Sequence, residues 1–371
     1  MAIETDLSGQ DRNALGGVAT ERSHHGSPGG DNGKWIDLHH HILPAEYIDK
    51  LAKIGVTGVA DHTFPKKWSA QKSIDIMDHI GVQAAITSLS APGVYFKNDQ
   101  FSRSLARFCN EYSAKLVSDH PTRFGALGSL PLPDVDGSLR ELEYALDTLK
   151  LDGLILLSNV QGKYLGDPDY EEIFQELNRR RTVVFIHPAF SSPMDDDLTE
   201  MDLTPALIEV PFDTTRAVAH LLYSGVLDRY PNIRFTLAHA GGTVPYLAWK
   251  IALIYYAQRD KKHFVQAMYD FVLTKRGPNP GIDALRRLYY DTAIAANPFT
   301  FGSLRELVDP DHIVFGTDSP WAKKWMIDLF TKGLKERCGL ETKDLQAIGR
   351  SNALQLFPDL ALRIGQEVVR H

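Results

Sequence analysis

Three consecutive histidines lie inside the run Trp35 to Pro44, W-I-D-L-H-H-H-I-L-P. Imidazole nitrogens bind divalent first-row metals well, so the chemistry this stretch could do is that of a metal centre. If the run is a β-strand, side chains alternate faces and Asp37, His39 and His41 point one way while Ile36, Leu38 and His40 point the other. The two in-phase imidazoles would then stand about 7 Å apart along the strand, within reach of one ion. Read alone, the stretch is equally compatible with a surface cluster or a tag fragment. Three further groups change that balance. His187 ends V-V-F-I-H-P, His239 ends R-F-T-L-A-H, and Asp318 follows V-F-G-T, each closing an apolar run.

The elements that must position these groups read as alternating strands and helices. Strand patterns cover Trp35 to His41, Val82 to Leu89, Arg123 to Leu130, Leu151 to Leu157, Thr182 to His187, Ile233 to His239, Leu288 to Thr292 and Ile313 to Thr317. Helical spacing separates them, as in Phe101 to Val117, Leu139 to Leu149, Tyr170 to Arg180, Thr204 to Tyr223 and Val244 to Ala257. The continuous apolar run Leu151 to Leu157 suits a parallel sheet covered on both faces. This alternation predicts an α/β chain folded as a (β/α)8 TIM barrel with a small insertion after strand 1. In such barrels the active face lies at the C-terminal ends of the strands, where His39, His41, His187, His239 and Asp318 all fall. Residues 45–70 read as an irregular insertion over the site, and residues 34–371 as the barrel. Residues 1–33, rich in Gly, Ser and Asp, read as a flexible N-terminal tail.

Composition narrows the class. A net charge of -7 spread along the chain argues against nucleic acid as a partner. No glycine-rich phosphate loop follows the early strands, which weakens nucleotide readings. Cys109 and Cys338 sit in amphipathic runs and read as reduced core residues. No apolar run is long enough to span a bilayer and none resembles a signal peptide, so a soluble, cytoplasmic protein with no membrane partner is expected.

The motifs together resemble the amidohydrolase superfamily, within it the group typified by aminocarboxymuconate semialdehyde decarboxylase. They are I-D-L-H-H-H-I-L-P at 36 to 44, M-D-H-I-G-V at 77 to 82, F-G-A-L-G-S-L-P at 124 to 131 and F-I-H-P at 185 to 188. P-F-D-T-T at 211 to 215, A-H-A-G-G-T-V-P-Y at 238 to 246, F-G-T-D-S-P at 315 to 320 and S-N-A at 351 to 353 complete the set. W-S at 68 to 69 and S-A-P-G at 90 to 93 are similar to 6-methylsalicylate decarboxylases.

The resemblance implies one divalent ion, zinc or alternatively manganese, held by His39, His41, His187 and Asp318. It makes His239 an acid or base beside the ion, with Asp318 or His239 delivering a proton. Strand four, D-G-L-I-L-L-S, lacks the lysine that bridges two metals in dinuclear relatives. The implied reaction is non-oxidative decarboxylation of a small aromatic carboxylic acid. A hydrolase of a lactone or cyclic amide, and a barrel that keeps its metal without turnover, are the alternatives. Where the group places substrate-gripping arginines, this chain has Lys250 and a position near Phe64, which favours a substrate with one carboxylate. Trp68, Phe190 and Trp321, with Tyr95 and Phe299, are the candidate apolar walls. A homodimer is implied, with Lys250 crossing from the neighbour. His40 reads as structural, Asp37 as a cap or an orienter of a ligand, and Asp291 as a partner for a backbone amide.

Overall fold

The histidine run forms the first strand of an eight-stranded parallel sheet in the computed structural model, which describes residues 34–59, 62–65, 67–189, 204, 206–259, 265, 269 and 279–366. The strands are β1 Trp35–His41, β2 Val82–Ser88, β3 Phe124–Ser129, β4 Gly153–Leu157, β5 Val183–His187, β6 Arg234–Leu237, β7 Tyr289–Asp291 and β8 Ile313–Val314. They neighbour one another in chain order, with helices between them. The ring is completed where the chain beyond β8 meets β1: the amide of Leu38 donates to the Phe315 carbonyl, that of Asp318 to His39 and that of His41 to Ser319. This is the (β/α)8 barrel the alternation predicts. The flexible tail expected over 1–33 lies outside the described residues.

Side chains from all around the ring fill its interior. Ile36, Leu38, Ile86, Leu127, Phe185 and Val314 form one buried cluster, closed at one end by Leu356, Phe357 and Leu360 near the C-terminus. A second, larger cluster lies between the strands and the outer helices. The barrel is thus a packed core, and its open end is where residues closing the strands become available for chemistry.

Strict alternation fails within β1, and the failure matters. Asp37 pairs with Ala85 but His40 pairs with Thr87, so three steps on β1 match two on β2. This β-bulge re-aims the side chains beyond it. Ile36 and Leu38 pack inside the barrel, and after the bulge His39 and His41 turn toward the mouth as well. Asp37 is therefore out of phase with the two histidines, contrary to the period-two reading. It reaches across the seam instead. Its Oδ1 accepts from the amides of His39 at 3.0 Å and Thr317 at 3.1 Å, and its Oδ2 accepts from the Thr317 hydroxyl at 2.6 Å.

Some boundaries differ from the sequence reading. The insertion opens with an amphipathic helix, Ala45–Ala52, that buries Tyr47 and Leu51, one turn apart, and the Tyr47 hydroxyl donates to the Gly93 carbonyl. A two-residue hairpin follows, Gly58–Val59 against His62–Thr63. The helix expected over 139–149 is Val135–Glu143 continued by a π-helical turn, Tyr144–Thr148. The helix expected from Thr204 begins at Glu209. Cys109 and Cys338 are buried free thiols. No helix among the described residues is long and apolar enough to cross a membrane.

Because Asp37 is buried and joins β1 to the segment after β8, Asp37→Ala strands several donors at once. Its urea unfolding midpoint is expected to fall by the equivalent of about 3 kcal/mol, with Asp37→Asn intermediate.

Candidate metal centre

His39 and His41 leave β1 at the barrel mouth, His187 ends β5, and Asp318 lies four residues past β8. One donor atom from each lies within 4.8 Å of all the others, and all four residues are buried. The Nε2 atoms of His39 and His41 are 2.9 Å apart, and Asp318 Oδ1 is 3.3 and 3.2 Å from them. Asp318 occupies the left-handed region, with φ of 61°, a conformation non-glycine residues seldom adopt and which here aims its carboxylate at the histidines.

The outer ring nitrogens explain why the inner ones converge. His39 Nδ1 is 2.6 Å from Asp291 Oδ2, His41 Nδ1 is 3.3 Å from the Ser88 carbonyl and 3.1 Å from Ser88 Oγ, and His187 Nδ1 is 2.9 Å from the Pro188 carbonyl. Carboxylate and carbonyl oxygens accept only, so the ring proton is held at Nδ1 and a lone pair remains at Nε2. Asp318 Oδ1 is buried with no hydrogen-bond partner among the described residues. Lone pairs and an anionic oxygen crowded together out of water repel one another unless a cation joins them. Four N and O donors whose closest separations approach the roughly 3.3 Å edge of a tetrahedron with metal–ligand bonds of 2.0–2.1 Å fit one divalent ion. Strand β4 reads GLILL, so it supplies no lysine to a second ion.

Protonation follows from the same geometry. Burial disfavours charge on His39, but Asp291 and Asp318 outweigh it and push its pKa up to about 10. Burial takes His41 down to about 4 and holds His187 well below the ordinary imidazole value. Asp318 would be raised by burial, yet the charge on His39 and the close approach of His239, His39 and His41 keep it well below the usual carboxylate range. Without an ion, one proton therefore resides on the His39–His41 pair at neutral pH, in the place the cation takes.

His239 sits beside the four ligands on a tight left-handed turn. His239, Ala240, Gly241 and Gly242 have φ values of 54°, 55°, 74° and 65°. Asp291 helps to hold this conformation, since its Oδ1 accepts from the amides of His239 at 2.8 Å and Ala293 at 3.0 Å. His239 Nε2 stands 3.4 Å from Asp318 Oδ2, and its side chain keeps 14% of its exposure. Asp291 thus orients the His39 ring with one oxygen and the backbone of His239 with the other. The sequence reading caught only its amide-binding half; its place at the end of β7, on the rim that bears the ligands, was the available signal. Gly316 contributes by having no side chain, because a Cβ there would meet His39 Cβ at 2.7 Å.

The other candidate contacts are dispersed. Trp321 is near the mouth, its indole N–H donating to Ser90 Oγ at 2.9 Å. Trp68 donates to Ser73 and packs beside Tyr112. Lys250 is exposed on the helix Val244–Arg259, and Phe299 is 92% exposed. Tyr95 lines a cavity at the mouth. Phe190 lies outside the described residues.

Comparison with known proteins adds an independent view. Residues 36–358 match the family model described as amidohydrolase. The chain is 35% identical to a 6-methylsalicylic acid decarboxylase of Penicillium expansum, covering 88% of this chain and 96% of that one. It is 32% identical to the decarboxylase macB of Penicillium terrestre, over 90% and 98% of the two chains. A crystal structure of dihydroxybenzoic acid decarboxylase from Polaromonas, with bound manganese and 2-nitroresorcinol, superposes with a TM-score of 0.71 at 23% identity over 88% of this chain and 97% of that one.

Two outcomes are expected. Binding of a divalent ion to metal-free protein at pH 7.5 releases about one proton, drawn from His39, so affinity rises about tenfold per pH unit between roughly pH 5 and 9; calorimetry in buffers of different ionisation enthalpy measures this. Asp291→Asn removes the carboxylate that orients His39 and weakens the metal by about 10- to 100-fold in a chelator competition.

Proposed function

The chain belongs to the amidohydrolase family, and from that premise we propose that it is a metal-dependent, non-oxidative decarboxylase of a small phenolic acid, with 6-methylsalicylate as the substrate and 3-methylphenol and CO2 as products. The observation that carries this reading is the convergence of three imidazole Nε2 atoms and the Asp318 carboxylate, with His239 3.4 Å from that carboxylate. Likeness to decarboxylases over nearly their whole length supports it.

His39, His41, His187 and Asp318 would hold one divalent ion, which we take to be zinc with manganese as the alternative; the Polaromonas relative carries manganese. When bound, such an ion supplies Lewis acidity and a fixed positive charge toward the substrate carboxylate and its ortho oxygen. The protein's own groups must move the proton. As the bond from the ring carbon to the carboxyl carbon breaks, its electron pair stays on the ring carbon, CO2 departs, and a proton joins that carbon. Asp318 and His239 form the pair that carries the proton, since they face each other and His239 is the more exposed of the two. Solvent then restores the pair.

Trp321, Trp68 and Phe190 are assigned to the substrate's apolar surroundings. Lys250 is assigned to the mouth of a neighbouring copy in a homodimer, in a cytoplasmic protein.

The test is a panel of salicylate-type acids set against lactones and cyclic amides, with metal-loaded protein. CO2 and the matching phenol are expected from the acids; ring opening of lactones without CO2 release would replace this reading with the hydrolase. His239→Asn is expected to retain the metal and lower kcat by about 10²- to 10⁴-fold.

A further inference from the structure

Beside the ligand cluster the barrel mouth opens into a cavity of about 100 Å³. Its apolar walls include Leu89, Val94, Leu130, Ile155, Leu157 and Val160. The polar members, Tyr95, Ser129, Asn159 and Gln161, carry no charge, and no charged side chain lines it among the described residues. No ligand is among its lining residues, and it reaches them through their neighbours. Leu89 follows Ser88, whose hydroxyl holds His41, and Leu157 is the strand partner of His187.

The far wall is fixed by a buried carboxylate that takes no part in the metal site. Asp213, 3% exposed, accepts from Ser158 Oγ, from Asn159 Nδ2 at 3.0 Å, from the Tyr164 hydroxyl at 2.8 Å and from the Ala189 amide at 2.9 Å. One side chain therefore ties the end of β4, the hairpin Asn159–Val160 with Lys163–Tyr164, and the loop two residues past His187. Asn159 has its other amide atom engaged too, accepting from the Gly162 amide at 2.8 Å. At Asn159 the wall therefore presents shape rather than a free hydrogen-bonding group.

We propose that this cavity is a subsite for a short hydrocarbon substituent of the substrate ring, the one flanking the carboxylate. The walls begin one residue from groups that hold the ligands, so with the carboxylate at the ligand cluster the adjacent ring position is the one that reaches them. The volume sets the length. At about 100 Å³ the cavity is smaller than the roughly 150 Å³ that admits benzene, and in proportion to benzene's six carbons it holds about three or four. A carboxylate or ammonium placed there would lose its hydration with no counter-charge, and is excluded. This assignment rests on the decarboxylase reading for its ring chemistry, and the fit to hydrocarbon is tested apart from it.

Two series are measured with metal-loaded protein: kcat/KM for salicylic acids carrying hydrogen, methyl, ethyl, propyl, butyl or carboxyl at carbon 6, and Kd for the corresponding 3-substituted phenols by calorimetry. Both are expected to improve by up to about fourfold per carbon as far as propyl and then fall, with the carboxyl compound poorest. Leu157→Ala is expected to move the optimum to a longer chain, a gain that a damaged fold cannot produce, and Val160→Trp to cut the propyl-to-hydrogen ratio at least tenfold. CO2 release indifferent to chain length, or preference for the carboxyl compound, overturns the subsite while leaving the decarboxylase standing. Phenol affinity that rises with chain length without any CO2 release does the reverse.

Discussion

Everything at the barrel mouth depends on electrostatic repulsion among donors that the fold forces together. Three Nε2 lone pairs and a carboxylate oxygen share one buried space, and their outer atoms are all committed to holding them there. Such an arrangement is unfavourable by itself and becomes favourable around a cation. The raised His39 and the lowered His41 are two expressions of this constraint, since a single proton is the next best occupant of the same space.

The barrel meets the constraint by closing on itself at the place where the ligands are. Backbone hydrogen bonds between β1 and the chain after β8 bring Asp318 to His39, and Asp37 fastens the same seam from the outer side. The bulge in β1 lets apolar residues fill the interior while the histidines immediately beyond still face the mouth. Asp291 and Gly316 complete the design in opposite ways, one by supplying two acceptors and the other by leaving room for His39.

The amino-acid pattern made much of this legible. Continuous apolar runs such as Leu151 to Leu157 announce buried parallel strands, and a polar residue at the end of each run marks the rim. That is why His187, His239 and Asp318 could be grouped with the first histidines across almost the whole chain. The bulge was not legible, because it depends on how Asp37 and His40 pair with β2 rather than on residue type. Nor was the left-handed turn at His239, where glycines follow in the chain but the histidine and alanine share the strained conformation. The helix Ala45–Ala52 was hidden by the glycines and proline that follow it, although Tyr47 and Leu51 already have helical spacing. Aromatic side chains were the least legible: Trp68 and Trp321 are alike in composition, yet one turns to Ser73 and the other to Ser90 at the mouth.

Chemistry that removes CO2 from a ring needs a fixed positive charge, a mobile proton and a dry wall, and these occupy adjoining parts of one rim. In the proposed reading the ligand set provides the first place, His239 with Asp318 the second, and the cavity beside β4 the third. The most direct measurement is anomalous diffraction at the metal edge from crystals of the purified protein, with metal content determined on the same sample. The expected result is one divalent ion per chain, coordinated by His39, His41, His187 and Asp318 and by no other side chain. An ion bound elsewhere, a second ion at the mouth, or coordination that omits His187 or Asp318 would contradict it.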